Sequence, residues 1–510
     1  MSVATRLKRA AAACALLAAT ACGGGEPGLT ITNVRILDGT GAPAVTGAVR
    51  IVGDSIVAVG DVAPARGDSI VDGGGLTLAP GFIDTHSHHD RGLRRTPEAL
   101  GAVSQGITTI IVGADGGHAM PLAETMDSIA AAGPSVNVGW FAGHGSIRDA
   151  VMGEDFKRVA TPAEVDSMAA LLRRELDAGA FGLSTGLEYD PGIYSQRSEV
   201  LALAKVAAAA GARYASHIRS EDRTFWDAID ETIAIGREAK LPVQVSHVKL
   251  AMVPLWGQAD SLLRLLDAAR AEGIDVTADI YPYPYWSSTL TVLFPDRDFG
   301  DLAEARKVLR EIAKPEGLLL GDFGPDSTYA GLTVAEIARR RGTDPAVTLL
   351  ALINEALAWE QANPGRSGES VVATAMDEAD IARLMQWPHA NICSDGGLDG
   401  AHPRGFGAYP RVLGRYVREQ GVVTLEEAVR KMTSLAAAHV GIARRGTVAP
   451  GMYADLVLFD PATVMDAATP QAPHEVAVGI RQVWVNGRTV FADGRAVSSK
   501  AGRVLRRSTR

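Results

Sequence analysis

Between Gly81 and about Ile442 the chain repeats one unit, a short apolar run rich in β-branched residues followed by a stretch with helical spacing. This alternation predicts parallel strands covered by helices, because a parallel connection needs a crossover long enough to hold a helix. The strand-like runs fall at 82–87, 107–112, 136–142, 180–185, 212–217, 242–247, 274–280 and 390–394. Eight is the number that closes a barrel. Helical spacing fills intervals such as Pro162 to Ala178, Glu199 to Ala210 and Ser261 to Glu272. The expected fold class is α/β, a (β/α)8 TIM-like barrel.

Strands are also expected at both chain ends. Leu29 to Ile36 alternates, and Val49 to Val52 and Ser55 to Val59 lie across Gly53-Asp54, a hairpin break. Asp455 to Phe459, Val478 to Val485 and Thr489 to Phe491 repeat the pattern, with Asn486-Gly487 as a turn. Neither set makes a full sheet alone. Together they predict a small β-sandwich formed by residues 29–79 and 443–498, flanking a barrel of residues 80–442. The stretch from about 290 to 389 is too long for one loop. Ala303 to Ala313 and Pro345 to Leu357 are helix-like, so a helical insertion over the barrel mouth is expected.

A length of 510 residues accommodates this plan, and 47% hydrophobic with 21% charged residues are globular values. The net charge is -9 and no long basic stripe interrupts the body, which argues against nucleic acid as a partner. The basic tail, residues 499–510, reads as a frayed, solvated end.

Residues 1–21 read as an export signal. Arg6, Lys8 and Arg9 precede the apolar run Ala10 to Ala19, which is too short for a stable bilayer span. Ala19-Thr20-Ala21 lead to Cys22, and residues 22–28 form a glycine-rich tether. The arrangement resembles a bacterial lipoprotein signal, with Ala19 where leucine is usual. That resemblance implies a protein lipid-anchored in the cell envelope through Cys22, touching the membrane only through that anchor. A soluble periplasmic or secreted form is the alternative. Of the three cysteines, Cys14 and Cys22 belong to this segment, so no intrachain disulfide is expected and Cys393 reads as a small core residue.

Polar residues at the strand ends carry the chemistry. His86 and His88 lie two apart after Pro80-Gly81, so one strand would present both on the same face. Asp115, His217, His247 and Asp395 each close a later apolar run. In such a barrel the carboxyl ends of the strands build the active site, so the six side chains are expected to share one mouth. Imidazole and carboxylate ligands suit Zn2+, and a site with an open position brings the pKa of a water to about 7. The pattern predicts a metal-dependent hydrolase. His144, between two glycines, is open to either a supporting or a structural role.

Longer stretches carry a family resemblance over most of residues 29–495. They are Pro80 to His88, Gly182 to Gly192, Ser216 to Glu221, Ser246 to Lys249, Ser394 to Gly396 and His402 to Arg404. In these the chain resembles the D-aminoacylase (N-acyl-D-amino-acid deacylase) branch of the amidohydrolase superfamily. The resemblance implies two metal positions, one held by His86, His88 and Asp395, the other by Asp115, His217 and His247. It also implies that Arg404 holds the substrate's α-carboxylate, with Lys249, Tyr189 and Tyr281 lining the amino-acid end. Two departures stand out. Well-known members carry cysteine where this chain has Asp115, a harder ligand able to bridge two ions. The run Tyr281 to Trp286 leaves the family's wording after three residues, which bears on side-chain specificity.

The implied activity is hydrolysis of N-acyl-D-amino acids to a carboxylate and a D-amino acid. Zn2+, as one or two ions, is the expected cofactor, with another divalent metal such as Mn2+ as the alternative. Asp395 is the expected proton acceptor and later donor to the leaving amine. A dipeptidase for peptides ending in a D-residue, and a catalytically silent binding lipoprotein on the same fold, are the competing readings. Strand 4 ends Gly182-Leu183-Ser184-Thr185 without a lysine, which argues against the carbamylated-lysine centre of cyclic-amide hydrolases.

Overall fold

The computed structural model describes residues 26–497 and 500–508, so the expected export signal and Cys22 lie outside the described residues. Barrel strands run parallel in chain order. Phe82–Asp84, Ile107–Val112 and Asn137–Trp140 form one set. Ala142–Gly143, Gly182–Gly186, Arg213–His217, Val243–Val245, Val276–Ile280 and Ala390–Ile392 form the other. Phe141 alone separates Trp140 from Ala142, so the third strand joins the two sets. The circle closes where Asp395 N–H donates to the His86 carbonyl at 2.9 Å and His88 N–H to the Gly396 carbonyl at 2.8 Å.

Ile107, Ile110, Val112, Val138, Val243, Val245, Val276, Ile280 and Ile392 are fully or almost fully buried. Each such side chain contributes about 1.5–3 kcal/mol on leaving water. Several strands stop earlier than their apolar patterns suggest. The first ends at Asp84 rather than 87, the sixth at Val245 and the eighth at Ile392. At each point the chain leaves the ladder to turn its polar end groups into the mouth. Covering helices follow their sequence signals: Pro162–Asp177 starts with Thr161 and Glu164 in a reciprocal capping box.

Strands from the two chain ends join in a single nine-stranded sheet. The joint is the antiparallel pairing of Thr77–Pro80 with Leu456–Phe459. The sheet curls until its distant parts meet. Ile56 N–H donates to the Met452 carbonyl at 2.8 Å, and the Asn486-Gly487 turn packs on the Gly53 carbonyl. Asn486 and Gly487 both have positive φ (47° and 77°), the geometry that a two-residue hairpin needs and glycine permits. The curled sheet encloses Ile31, Val49, Ile56, Leu78, Leu456 and Trp484. Asp455 ties sheet to barrel, accepting from Asn137 Nδ2 (3.2 Å), the Asn486 N–H (2.7 Å) and Arg445.

Two expectations change. The insertion holds the helices Leu302–Glu311, Val334–Arg341 and Pro345–Ala362, but also an antiparallel sheet of Tyr285–Ser288, Glu369–Thr374 and Leu318–Phe323. Its strands pair only with segments far along the chain, which short apolar runs do not reveal. The basic tail is not frayed over residues 500–508. Leu505 N–H donates to the Val138 carbonyl at 2.7 Å, and Arg507 caps the carbonyls of Ala180 (3.1 Å) and Ala210 (2.6 Å). Arg507 thus serves as a donor to the barrel's underside. Among the described residues no helix is long and apolar enough to cross a membrane.

Candidate metal centre and active-site cavity

All six side chains expected at the mouth meet there. His86, His88, Asp115 and Asp395 form one group of donor atoms, and Asp115, His217 and His247 form another. Asp115 is common to both. Its Oδ2 lies 3.3 Å from His86 Nε2 and 3.2 Å from His88 Nε2, while Oδ1 lies 3.3 Å from His247 Nε2. Asp395 Oδ1 lies 3.4 Å and 3.2 Å from the same His86 and His88 nitrogens. His217 Nδ1 stands 3.0 Å from His247 Nε2.

Backbone geometry aims these groups. Asp115, His247 and Asp395 have φ of 52°, 35° and 49°, the left-handed region, which costs a non-glycine residue about 1–2 kcal/mol. Each sits at a strand end, where the reversal swings its side chain toward the barrel axis. Glycine makes room around Asp115: a Cβ on Gly113 would stand 2.3 Å from the Phe141 carbonyl oxygen, and one on Gly186 2.2 Å from the Asp115 oxygen. Asp279, on the seventh strand, holds the frame by accepting from the His247 N–H (2.5 Å), Gln244 and the Cys393 thiol (3.2 Å). Cys393 is buried, as its sequence context suggests.

The electrostatics favour a cation. Burial disfavours charge on the His86 ring, yet Asp115, Asp395 and Asp279 carry its pKa up to about 10. Burial would likewise raise Asp395, but Arg404, His86 and His247 hold its carboxyl well below the usual range. Four imidazoles and two carboxylates thus crowd a space where positive charge is stabilised. Such a donor set fits a divalent ion of the zinc class.

Arg404, Lys249, Tyr189 and Tyr281 line one cavity of about 570 Å³ together with His88, Asp115, His217, His247 and Asp395. Arg404 Nη1 is 2.6 Å from Asp395 Oδ2, while its buried Nε has no partner. The guanidinium lies over the Tyr281 ring at 4.7 Å, and the Tyr281 hydroxyl is also buried and unpartnered. Two unsatisfied donors therefore stand beside the donor cluster, and a buried polar group without a partner costs about 1–3 kcal/mol until one arrives. Lys249 is engaged, with its Nζ 2.7 Å from His247 Nδ1 and paired to Glu221. The Tyr189 ring packs on His217 at 4.3 Å.

Residue-by-residue reasoning passed over two carboxylates. Glu188 Oε2 lies 3.0 Å from His217 Nε2, and Glu221 Oε1 lies 3.0 Å from His247 Nδ1. Such outer partners orient an imidazole and raise its basicity as a ligand. Both stand inside the motifs at 182–192 and 216–221, and the acid within each motif was the available signal. His144 is structural, with Nε2 2.7 Å from Glu199 Oε1 and no place in the cavity lining.

The profile of the amidohydrolase family matches residues 69–305 and 373–491. The sequence is 38% identical over 503 residues to the N-acyl-D-glutamate deacylase of Alcaligenes xylosoxydans xylosoxydans, covering 94% of this chain and 96% of that one. The fold is similar to the crystal structure of N-acyl-D-glutamate deacylase from Bordetella bronchiseptica complexed with zinc and a phosphonate inhibitor. That likeness has a TM-score of 0.84 and 35% identity, over 94% of this chain and 100% of the other. A D-aminoacylase described as having a binuclear metal centre is similar at a TM-score of 0.82 and 34% identity, over 94% and 99% of the two chains.

Proposed function

Because the chain belongs to the amidohydrolase family, in its N-acyl-D-amino-acid deacylase branch, we propose that it is a metal-dependent hydrolase of N-acyl-D-amino acids. The products are a carboxylate and a free D-amino acid. The observation that carries this reading is the convergence of six ligands around Asp115 in the same cavity as the unsatisfied donors of Arg404 and Tyr281. A silent binding protein would have no use for so complete a donor set.

His86, His88 and Asp395 would hold one ion and His217 and His247 a second, with Asp115 between them. Zn2+ is the first candidate, and the harder Asp115 leaves room for Mn2+. When bound, such an ion polarises the amide carbonyl and acidifies a water. The protein's own groups supply the rest. Arg404 offers several N–H donors, of which one rests on Asp395, so a planar α-carboxylate can dock on the remainder. The Tyr281 hydroxyl is placed to donate to the same end. Asp395 stays ionised, with Oδ2 paired to Arg404 and Oδ1 facing the His86 and His88 nitrogens, and its carboxylate is the group placed to take a water's proton and return it to the leaving amine.

The charged start, short apolar run and glycine tether support export and lipid anchoring at Cys22 as part of the proposal.

The test is metal analysis of the purified protein together with amine release from matched N-acetyl-D- and N-acetyl-L-amino acids. Zinc in the protein and release from the D series alone is the expected result. No release from any D substrate by the zinc-loaded protein refutes the reading.

A further inference from the structure

Three residues beyond Asp115 stands His118, whose side chain is fully buried and which the chemistry above does not use. Ala114, Asp115 and Gly117 line the cavity, and His118 does not. It grips the far end of the loop that carries Asp115. Its Nδ1 accepts the Gly143 N–H at 2.9 Å, at the end of the third strand. Its own N–H donates to Ser146 Oγ at 2.9 Å, and that hydroxyl donates back to the His118 carbonyl at 2.8 Å.

The loop needs such a grip. It runs Gly113-Ala114-Asp115-Gly116-Gly117, and Gly113, Asp115 and Gly116 have positive φ (75°, 52° and 75°). Glycine leaves a backbone many alternatives, so this conformation has to be imposed by neighbours. Part of the work is done by close packing: a Cβ on Gly143 would stand 2.4 Å from the Gly116 carbonyl oxygen. Ser184 Oγ, on the fourth strand, donates to the Gly113 carbonyl (2.5 Å) and accepts the Gly116 N–H (3.3 Å), which fixes the near end. His118 and Ser146 fix the far end.

The imidazole accepts at Nδ1 only when its proton sits on Nε2. Glu175 sets that choice. Its carboxylate is 1% exposed, and Oε2 lies 3.9 Å from His118 Nε2. That is too long for a hydrogen bond, and Nε2 has no other partner. A carboxylate at this range still favours an N–H facing it over a lone pair. Glu175 is itself held by the Leu122 N–H at 2.6 Å and by Arg174 Nε at 3.3 Å. Burial works against its charge, yet His118 and the Leu122 N–H keep its pKa below the usual value. A proton on Nδ1 instead would set two donors face to face and break the bond to Gly143.

Resting on the metal-centre reading above, we infer that His118 is a positioning residue that holds the Asp115 carboxylate between its two groups of donors. Asp115 faces His86 and His88 through Oδ2 and His247 through Oδ1. A small rotation of the loop would withdraw it from one group as it approached the other. His118 prevents that rotation through the Gly143 N–H and touches neither metal nor substrate.

The experiment measures zinc affinity by equilibrium dialysis against chelator-buffered zinc, together with the unfolding midpoint, for the wild type and for His118→Leu, His118→Asn and His118→Gln. Asparagine carries its oxygen where Nδ1 stood, so it can still accept the Gly143 N–H. Glutamine carries its amide one bond further out, where Nε2 stood, and leucine accepts nothing. The leucine and glutamine variants should bind zinc at least about tenfold more weakly, with the asparagine variant within about threefold of the wild type. Wild-type zinc affinity in the leucine and glutamine variants, even with a lowered unfolding midpoint, shows a purely structural role and overturns the inference. Rescue by glutamine and not by asparagine overturns it as well. Where the leucine variant does not fold, the asparagine and glutamine pair decides. Each of these outcomes leaves the metal-centre reading intact, whereas a wild type that binds no zinc overturns that reading and this inference with it.

Discussion

Replacing Asp115 by alanine removes the one side chain shared by both groups of donors. Loss of a hydrogen-bonded partner behind a ligand typically costs 10- to 100-fold in metal affinity. Asp115 contacts three imidazole nitrogens directly at 3.2–3.3 Å, so its loss should exceed the upper end of that range, about 2.8 kcal/mol or more. The backbone adds a separate effect. At φ 52° alanine keeps the left-handed strain while glycine relieves it, a difference of about 1 kcal/mol. Asp115→Gly should therefore be more stable than Asp115→Ala by that amount in denaturant titrations, yet equally poor in metal. Equilibrium dialysis against chelator-buffered zinc, with elemental analysis of the protein, reads the first effect. Both variants should bind at least about 100-fold more weakly, and at both positions together, because the carboxylate serves both. Wild-type metal content in both variants would refute the argument and reduce Asp115 to a turn residue between Gly113 and Gly116.

Three further outcomes are expected. Arg404→Lys keeps the charge but loses the planar fork, so kcat/KM on N-acyl-D-amino acids should fall about 10- to 100-fold with metal content unchanged; equal turnover of an N-acyl-D-amino acid and its α-amide by the wild type would contradict the role. Cys22→Ser should release the protein from the membrane fraction, and a variant that still pellets with membranes would contradict lipid anchoring. Truncation before Lys500 removes the Arg507 donors from the Ala180 and Ala210 carbonyls and the Leu505 N–H from Val138, at about 1 kcal/mol per hydrogen bond; an unchanged unfolding midpoint would show that the tail contributes nothing to the barrel.

Much of the plan is legible in the chain because it rests on local pattern. Apolar runs of strand length alternating with helical spacing specify parallel strands with helical crossovers. The residue that closes each run falls at a carboxyl end, and in a closed barrel those ends share one mouth. His86, His88, Asp115, His217, His247 and Asp395 could be named from that logic alone, and the Asn486-Gly487 turn from its dipeptide. Tertiary structure decided everything that depends on which distant segments meet. Barrel closure set Asp115 between two groups of ligands, and the positive φ at three strand ends chose the direction of each side chain. The inserted sheet brought Glu369 and Tyr281 into the lining of one cavity, although many residues of helix separate them in the chain. The basic tail became a set of caps because open carbonyls at the underside of the barrel lay within its reach. Periodicity follows from neighbours a few residues apart. Contacts such as these depend on how a closed barrel brings remote ends together, which no stretch of sequence contains by itself.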